Sequence, residues 1–236
     1  MSVRTRSKLA LLRLGGRSSE RTIHYLNGLL DYFELGWWLR RRGFAGGAVT
    51  RTCRGVFEAI AREIAIHAAL YLQFGAEDPG LVERWAALLT HPKTELHVFD
   101  FDDDHSGTWL PARGVGHTWE MGSNGVDGRE RLRKLAEEDE RVRLQAGSSD
   151  LLDNHEWPNA DVVVAVFDTD HYLSAKAGLD ALAERLPIGS YLFFDQLNHR
   201  ADELRAFHEY LLDTDARFEL FARNAEFSCV AFRRIG

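Results

Sequence analysis

Apolar positions recur along the chain with two different periods. From Glu20 onward, Tyr25, Leu26, Leu29, Leu30, Tyr32, Phe33 and Leu35 fall at helical spacing, and Trp37, Trp38 and Leu39 extend the stripe. Ser19 can cap that helix, and Arg40-Arg41-Arg42-Gly43 reads as a basic helix end with a glycine stop. A second helix is predicted from Arg51 to about His67, with Val56, Ile60, Ile64 and Ala65 inward. The residues before Glu20 read as irregular and end in Gly15-Gly16-Arg17-Ser18-Ser19.

From residue 69 the pattern changes to strands alternating with helices. Short apolar runs predict strands from Ala69 to Phe74, Glu95 to Phe99, Val142 to Gln145, Asp161 to Phe167 and Ser190 to Phe194. Helical spacing fills the gaps from Leu81 to Leu89, Arg129 to Asp139, Ala175 to Leu186 and Asp202 to Leu212. A glycine-rich stretch runs from His105 to Gly128, and two strands, Arg217 to Ala222 and Phe227 to Arg233, close the chain. The run from Asp161 to Phe167 is continuously apolar, as a central parallel strand is. Such alternation predicts a doubly wound, mainly parallel sheet over residues 68–236, preceded by a helical extension over residues 1–67 that serves as a lid or an oligomer contact. Right-handed crossovers put every strand C-terminus on one edge, where open α/β sheets bind ligands. The positions that matter most are therefore Gly75, Asp100, Gly147, Asp168 and Asp195.

Composition narrows the class. With 236 residues, 45% hydrophobic and 28% charged, the chain reads as a globular protein with one domain as the default. No apolar run approaches the ~18 residues that a membrane span needs. Two cysteines, Cys53 and Cys229, exclude a disulfide scaffold and a cysteine-rich zinc module, and neither has a nucleophile's local setting. A net charge of −7 speaks against general nucleic-acid binding. The charge is uneven: residues 1–54 carry 11 basic and 3 acidic side chains. That basic arm reads either as a solvated face or as a contact for an acidic partner, a membrane surface or a neighbouring subunit. Its aromatic helix holds more apolar surface than a detached arm leaves in water, so a homodimer is expected, in the cytoplasm.

The strand ends carry the candidate chemistry. The turn Gln73-Phe74-Gly75-Ala76-Glu77-Asp78-Pro79-Gly80 has neither a G-x-G-x-x-G fingerprint nor a Walker lysine. Its Glu77 and Asp78 disfavour a pyrophosphate and suit a ligand with a cationic centre. Asp100 ends the second strand of the sheet, where an acidic residue commonly accepts from ribose hydroxyls. Phe167-Asp168-Thr169-Asp170-His171-Tyr172 follows the strongest strand, and Phe193-Phe194-Asp195-Gln196 the next. Asp168 and Asp195 on neighbouring strands would reach one hard divalent cation, with Gln196 supplying an amide oxygen. Crowded carboxylates also suit a general base. The alternative is helix capping by Asp170 and Asp195. Of His171, His199 and His208, His199 is the best catalytic candidate, because it shares a loop with Asp195 and Gln196. No G-x-S-x-G motif is present, which argues against an α/β-hydrolase.

Leu96-His97-Val98-Phe99-Asp100-Phe101, Arg141 to Gly147, the Asp168-Thr169-Asp170-His171-Tyr172 segment, Gly189 to Asp195 and Leu204-Arg205-Ala206-Phe207 stand in the order and spacing of one known family. Over residues 68–235 the chain resembles macrocin O-methyltransferase-like proteins. The resemblance implies a Rossmann-like class I methyltransferase fold, with a mostly parallel seven-stranded sheet and an antiparallel last strand. It also implies S-adenosylmethionine-dependent methylation of a small-molecule hydroxyl, possibly on a sugar or glycosylated natural product, with Mg²⁺ assistance. Gln73, Gly75, Asp100, Phe101 and Ser148 would then serve the cofactor. Asp168, Asp195 and Gln196 would serve the metal, and Asp170 and His199 catalysis. Gln73 stands where the family has Glu, and Gln196 where it has an acidic ligand. Two further readings stay open: a relative that binds a ligand or partner without methyl transfer, and a metal-dependent enzyme using the same carboxylates.

Overall fold

The computed structural model describes residues 3–76, 78–101, 126–169 and 171–236. Among them, eight strands form one sheet in the order β1-β7-β8-β6-β5-β2-β3-β4. β2 (Ala69–Phe74) lies between β3 (Glu95–Phe101) and β5 (Val162–Phe167), parallel to both. β4 (Val142–Gly147) continues the parallel sheet beyond β3, and β6 (Tyr191–Phe194) beyond β5. Only β8 (Val230–Arg234) runs against its neighbours, β6 and β7 (Phe218–Asn224). The parallel pairing of β2 with β5 and the antiparallel last strand both agree with the sequence.

The expected count of seven strands is corrected by β1 (Ala48–Thr50), which pairs in parallel with Ala222–Asn224 of β7. Three residues are too few to show a period of two, so only the partner strand defines this element. It is followed by α3 (Cys53–Glu63), capped by Thr52, whose hydroxyl accepts from the Gly55 amide. Residues 48–63 of the expected helical extension thus supply an edge strand and a core helix to the sheet.

Helices cover both faces. On one, Val56, Phe57 and Ile60 of α3, Leu81, Val82 and Trp85 of α4 (Pro79–Leu88) and Leu132 of α5 (Val126–Glu138) pack on Tyr71, Val98, Val164 and Phe193. On the other, α6 (Tyr172–Leu182), α7 (Glu203–Asp213) and α2 (Glu20–Arg42) pack on Leu72, Phe74, Phe167, Phe194 and Phe232. α2 starts and stops as predicted: the Ser19 hydroxyl accepts from Thr22 N–H, and Gly43 closes it in the left-handed region. It buries Leu35, Trp38 and Leu39 and leaves Leu30, Phe33 and Trp37 exposed. Residues expected to be irregular form a further helix, α1 (Val3–Gly15). They include no proline or interior glycine to stop one, and their amphipathic signal is too weak to announce it. No helix of the described residues is long and apolar enough to cross a membrane.

Candidate functional site

Strand order reverses between β2 and β5, so the crevice at their C-terminal ends is the topological switch point of the sheet. A polar network closes it from below. Gln73 is fully buried at the end of β2. Its Oε1 accepts from the Tyr71 hydroxyl, and its Nε2 donates to Gly75 O (3.1 Å) and to Asp168 Oδ2 (3.0 Å). Asp78 N–H donates to the same carboxylate oxygen at 2.9 Å. Burial, reinforced by the Asp168 carboxylate, pushes the Tyr71 phenol well above its ordinary range, so it stays a donor. Every polar atom of the Gln73 amide group has a partner, which a site this deep requires. An ionised glutamate here could not donate to Asp168.

Gly75 follows at φ +90°, and its N–H donates to Phe99 O at 2.9 Å. A Cβ at this position would overlap the Asp168 carbonyl oxygen and lie 2.8 Å from its carbon. Only glycine permits this close passage between two strand ends. Asp78, expected to repel anionic ligands, instead caps α4: its Oδ1 accepts from Gly80 N–H at 2.9 Å and its other oxygen pairs with Arg84. Glu77 lies outside the described residues.

The parallel register sets Gly75 beside Asp100, because Phe74 pairs with Phe99. Asp100 pairs with Ala146, and Phe101 with Gly147, immediately before Ser148. Four of the expected cofactor residues, Gly75, Asp100, Phe101 and Ser148, therefore occupy adjacent strand ends. Asp100 is held by Arg129 of α5 at 2.9 Å. Ser148 sits at the cap position of a 3-10 turn (Ser149–Asn154) and makes no capping bond there.

Asp195 occupies the strand end next to Asp168, since Phe167 pairs with Phe194 and Asp195 N–H donates to Phe167 O. Its carboxylate lies 3.1 Å from Cys229 Sγ, and Cys229 is disulfide-bonded to Cys53, with a Cα–Cα separation of 5.3 Å. That pairing went unseen in the sequence, because the two residues are 176 positions apart. Gln196 N–H donates to the buried Glu203 of α7. His199 lies in the following turn, its N–H donating to Gln196 O, and Arg200 ties the loop to Asp31 and Glu34 of α2. His208 is a structural group: it accepts from Trp38 Nε1 at 2.9 Å, and burial together with Arg42 holds its pKa down. Asp170 lies outside the described residues.

Of the residues expected to hold Mg²⁺, Asp168 receives two N–H donors at Oδ2, and Asp195 lies against the Cys53–Cys229 sulfurs.

A second polar group was missed entirely in the sequence. The Glu95 carboxylate accepts from His97 Nε2, His97 Nδ1 faces His155 Nε2 at 2.9 Å, and His155 Nδ1 faces the Gln145 amide at 2.9 Å. These residues line a cavity of about 640 Å³ on the β3–β4 flank. Burial lowers the pKa of both histidines, and the Glu95 carboxylate pulls against it at His97. Glu95 and His97 two apart on one strand face were the available signal.

No protein-family model matches the chain, and no curated protein matches it in sequence. Solved structures match its fold. The crystal structure of CalS11, a calicheamicin methyltransferase, aligns with a TM-score of 0.53 and 22% identity over 99% of this chain and 93% of that one. SAH-bound PaMTH1, a Podospora anserina methyltransferase, aligns at 0.50 with 13% identity over 78% of each. This is the class I methyltransferase fold. Within it, the Gly75–Asp168 crevice is the junction of the two sheet halves.

Proposed function

We propose that this chain is an S-adenosylmethionine-dependent O-methyltransferase acting on a hydroxyl of a small molecule, a sugar or a glycosylated natural product. The observation that carries this reading is the switch-point crevice, where left-handed Gly75 brings bare backbone to a strand end beside Asp100. The acceptor class draws on CalS11, described in a second structure as a TDP-rhamnose 3'-O-methyltransferase, which aligns at 0.50 with 20% identity over 76% of this chain and 77% of that one.

The cofactor, when bound, supplies an electrophilic methyl group on a sulfonium. Backbone at Gly75 lets it approach, and the Asp100 carboxylate, steadied by Arg129, accepts hydrogen bonds from its ribose. Phe101 and Ser148 flank the same edge. Asp168 acts through Gln73 and Asp78, holding the first loop in the shape that presents Gly75. The acceptor hydroxyl must lose its proton as the oxygen attacks, and Asp170 and His199 are the groups assigned to take it.

Calorimetry with S-adenosylmethionine and S-adenosylhomocysteine tests the reading, followed by transfer of labelled methyl to a nucleotide-linked deoxysugar. Wild-type protein is expected to bind both. Asp100→Ala should bind them roughly 10- to 100-fold more weakly, the loss of one or two charge-assisted hydrogen bonds. No heat at millimolar cofactor would overturn methyl transfer in favour of a ligand-binding relative.

A further inference from the structure

Three side chains from three elements meet beside the crevice: Cys53 at the first turn of α3, Cys229 just before β8, and Asp195 just after β6. Their sulfur and oxygen atoms all lie within 4.8 Å of one another. We infer that, once its disulfide is reduced, the chain binds one thiophilic divalent cation of the zinc class through Cys53, Cys229 and Asp195. The inference does not rest on methyl transfer.

Donor chemistry selects the ion. Two thiolates and a carboxylate suit zinc and exclude magnesium as a tight ligand. Geometry permits it. Two zinc–sulfur bonds of about 2.3 Å at a tetrahedral angle need sulfurs roughly 3.8 Å apart. Backbones whose Cα atoms are 5.3 Å apart reach that separation by side-chain rotation. A bound cation also offsets the repulsion among two thiolates and a carboxylate held in so small a volume.

The surroundings are built to hold these ligands in place. Asn224, buried at the end of β7, accepts from Cys229 N–H at 3.2 Å through its side-chain oxygen. Its amide nitrogen donates to Ser228 Oγ at 2.7 Å and lies 3.9 Å from Cys53 Sγ. One residue therefore orients both cysteines, as outer partners of metal ligands do. Cys53 opens a helix, whose dipole favours negative charge there. Cys229 is buried, while Cys53 and Asp195 are partly exposed, so an ion can enter from the side of those two. The chemistry balances: an added dithiol gives up two electrons and two protons and closes to its own disulfide, the Cys53–Cys229 bond opens to two thiols, and the cation displaces both thiol protons.

The test titrates the whole reduced chain with Co²⁺ and then Zn²⁺ under nitrogen. One Co²⁺ per chain is expected, with sulfur-to-cobalt charge-transfer bands and a tetrahedral ligand field, displaced one for one by Zn²⁺. Oxidised wild type, with its sulfurs bonded to each other, should show neither. Cys53→Ser and Cys229→Ser should each weaken Zn²⁺ by at least about 100-fold, beyond what outer-partner changes cost. Asp195→Asn should weaken it roughly tenfold while both sulfur bands persist. If a variant fails to fold, the oxidised and reduced forms of the wild type still decide. Reduced protein that binds Co²⁺ no better than oxidised protein, or a cobalt spectrum without sulfur bands, overturns the assignment.

Discussion

Asp168 and Asp195 end neighbouring parallel strands, each one step beyond a paired phenylalanine. By topology they are equivalent, yet their surroundings have nothing in common. Asp168 is buried and receives N–H donors from Gln73 and Asp78. Asp195 is partly exposed and rests against the Cys53–Cys229 sulfurs. The difference follows from strand order. Asp168 borders β2, whose end must turn sharply into α4, while Asp195 borders the reversed strand β8, which delivers a cysteine. Position on the edge sets where a carboxylate stands, and the neighbour across the sheet sets what it does.

The strongest blow to the Asp168 side is Gly75→Ala. The added methyl meets Asp168 backbone, which cannot yield, and the left-handed φ is strained for alanine. A loss of about 4 kcal/mol or more is expected, read as a drop in urea midpoint. A midpoint within error of wild type would show that the crevice is looser than its geometry.

On the Asp195 side, reduction of the disulfide without added metal should cost about 2–4 kcal/mol, since the bond closes a long loop across the sheet. Excess Zn²⁺ should return part of that loss in the reduced protein, and Mg²⁺ should not. Equal rescue by both ions would erase the contrast between the two carboxylates.

Gln73→Glu sharpens the comparison with a smaller effect, about 2–3 kcal/mol near neutral pH. It sets a second buried carboxylate against Asp168 and removes two amide donors. One of the pair must take a proton to relieve the clash, so the variant's pKa is raised there. Its penalty should therefore shrink as pH falls from 7.5 to 5, which chemical denaturation at the two pH values measures. A penalty independent of pH would mean that the lost donors, and not the added charge, dominate.

Much of this was legible because the cues are local. The continuous apolar run ending at Phe167 marked a central strand, and each strand end named a position on the functional edge. Ser19 and Gly43 announced the ends of α2 by backbone chemistry that needs no partner. Other features had no local cue. β1 is three residues long and exists through its partner β7. Gln73 reads as a departure from the family's glutamate until Tyr71 and Asp168 supply the bonds that require an amide.

The sequence by itself determined the alternation of strands and helices, the apolar faces of the core, and the row of residues at the strand C-termini. Period and propensity act within a few turns of the chain, so a single strand or helix records them. Only the tertiary structure decided which strand ends are neighbours. It placed Gly75 against Asp168, paired His97 with His155, and brought Cys53 to Cys229 and Asp195. Those contacts join positions far apart in the chain. They depend on strand order and crossover direction, which no window of sequence contains.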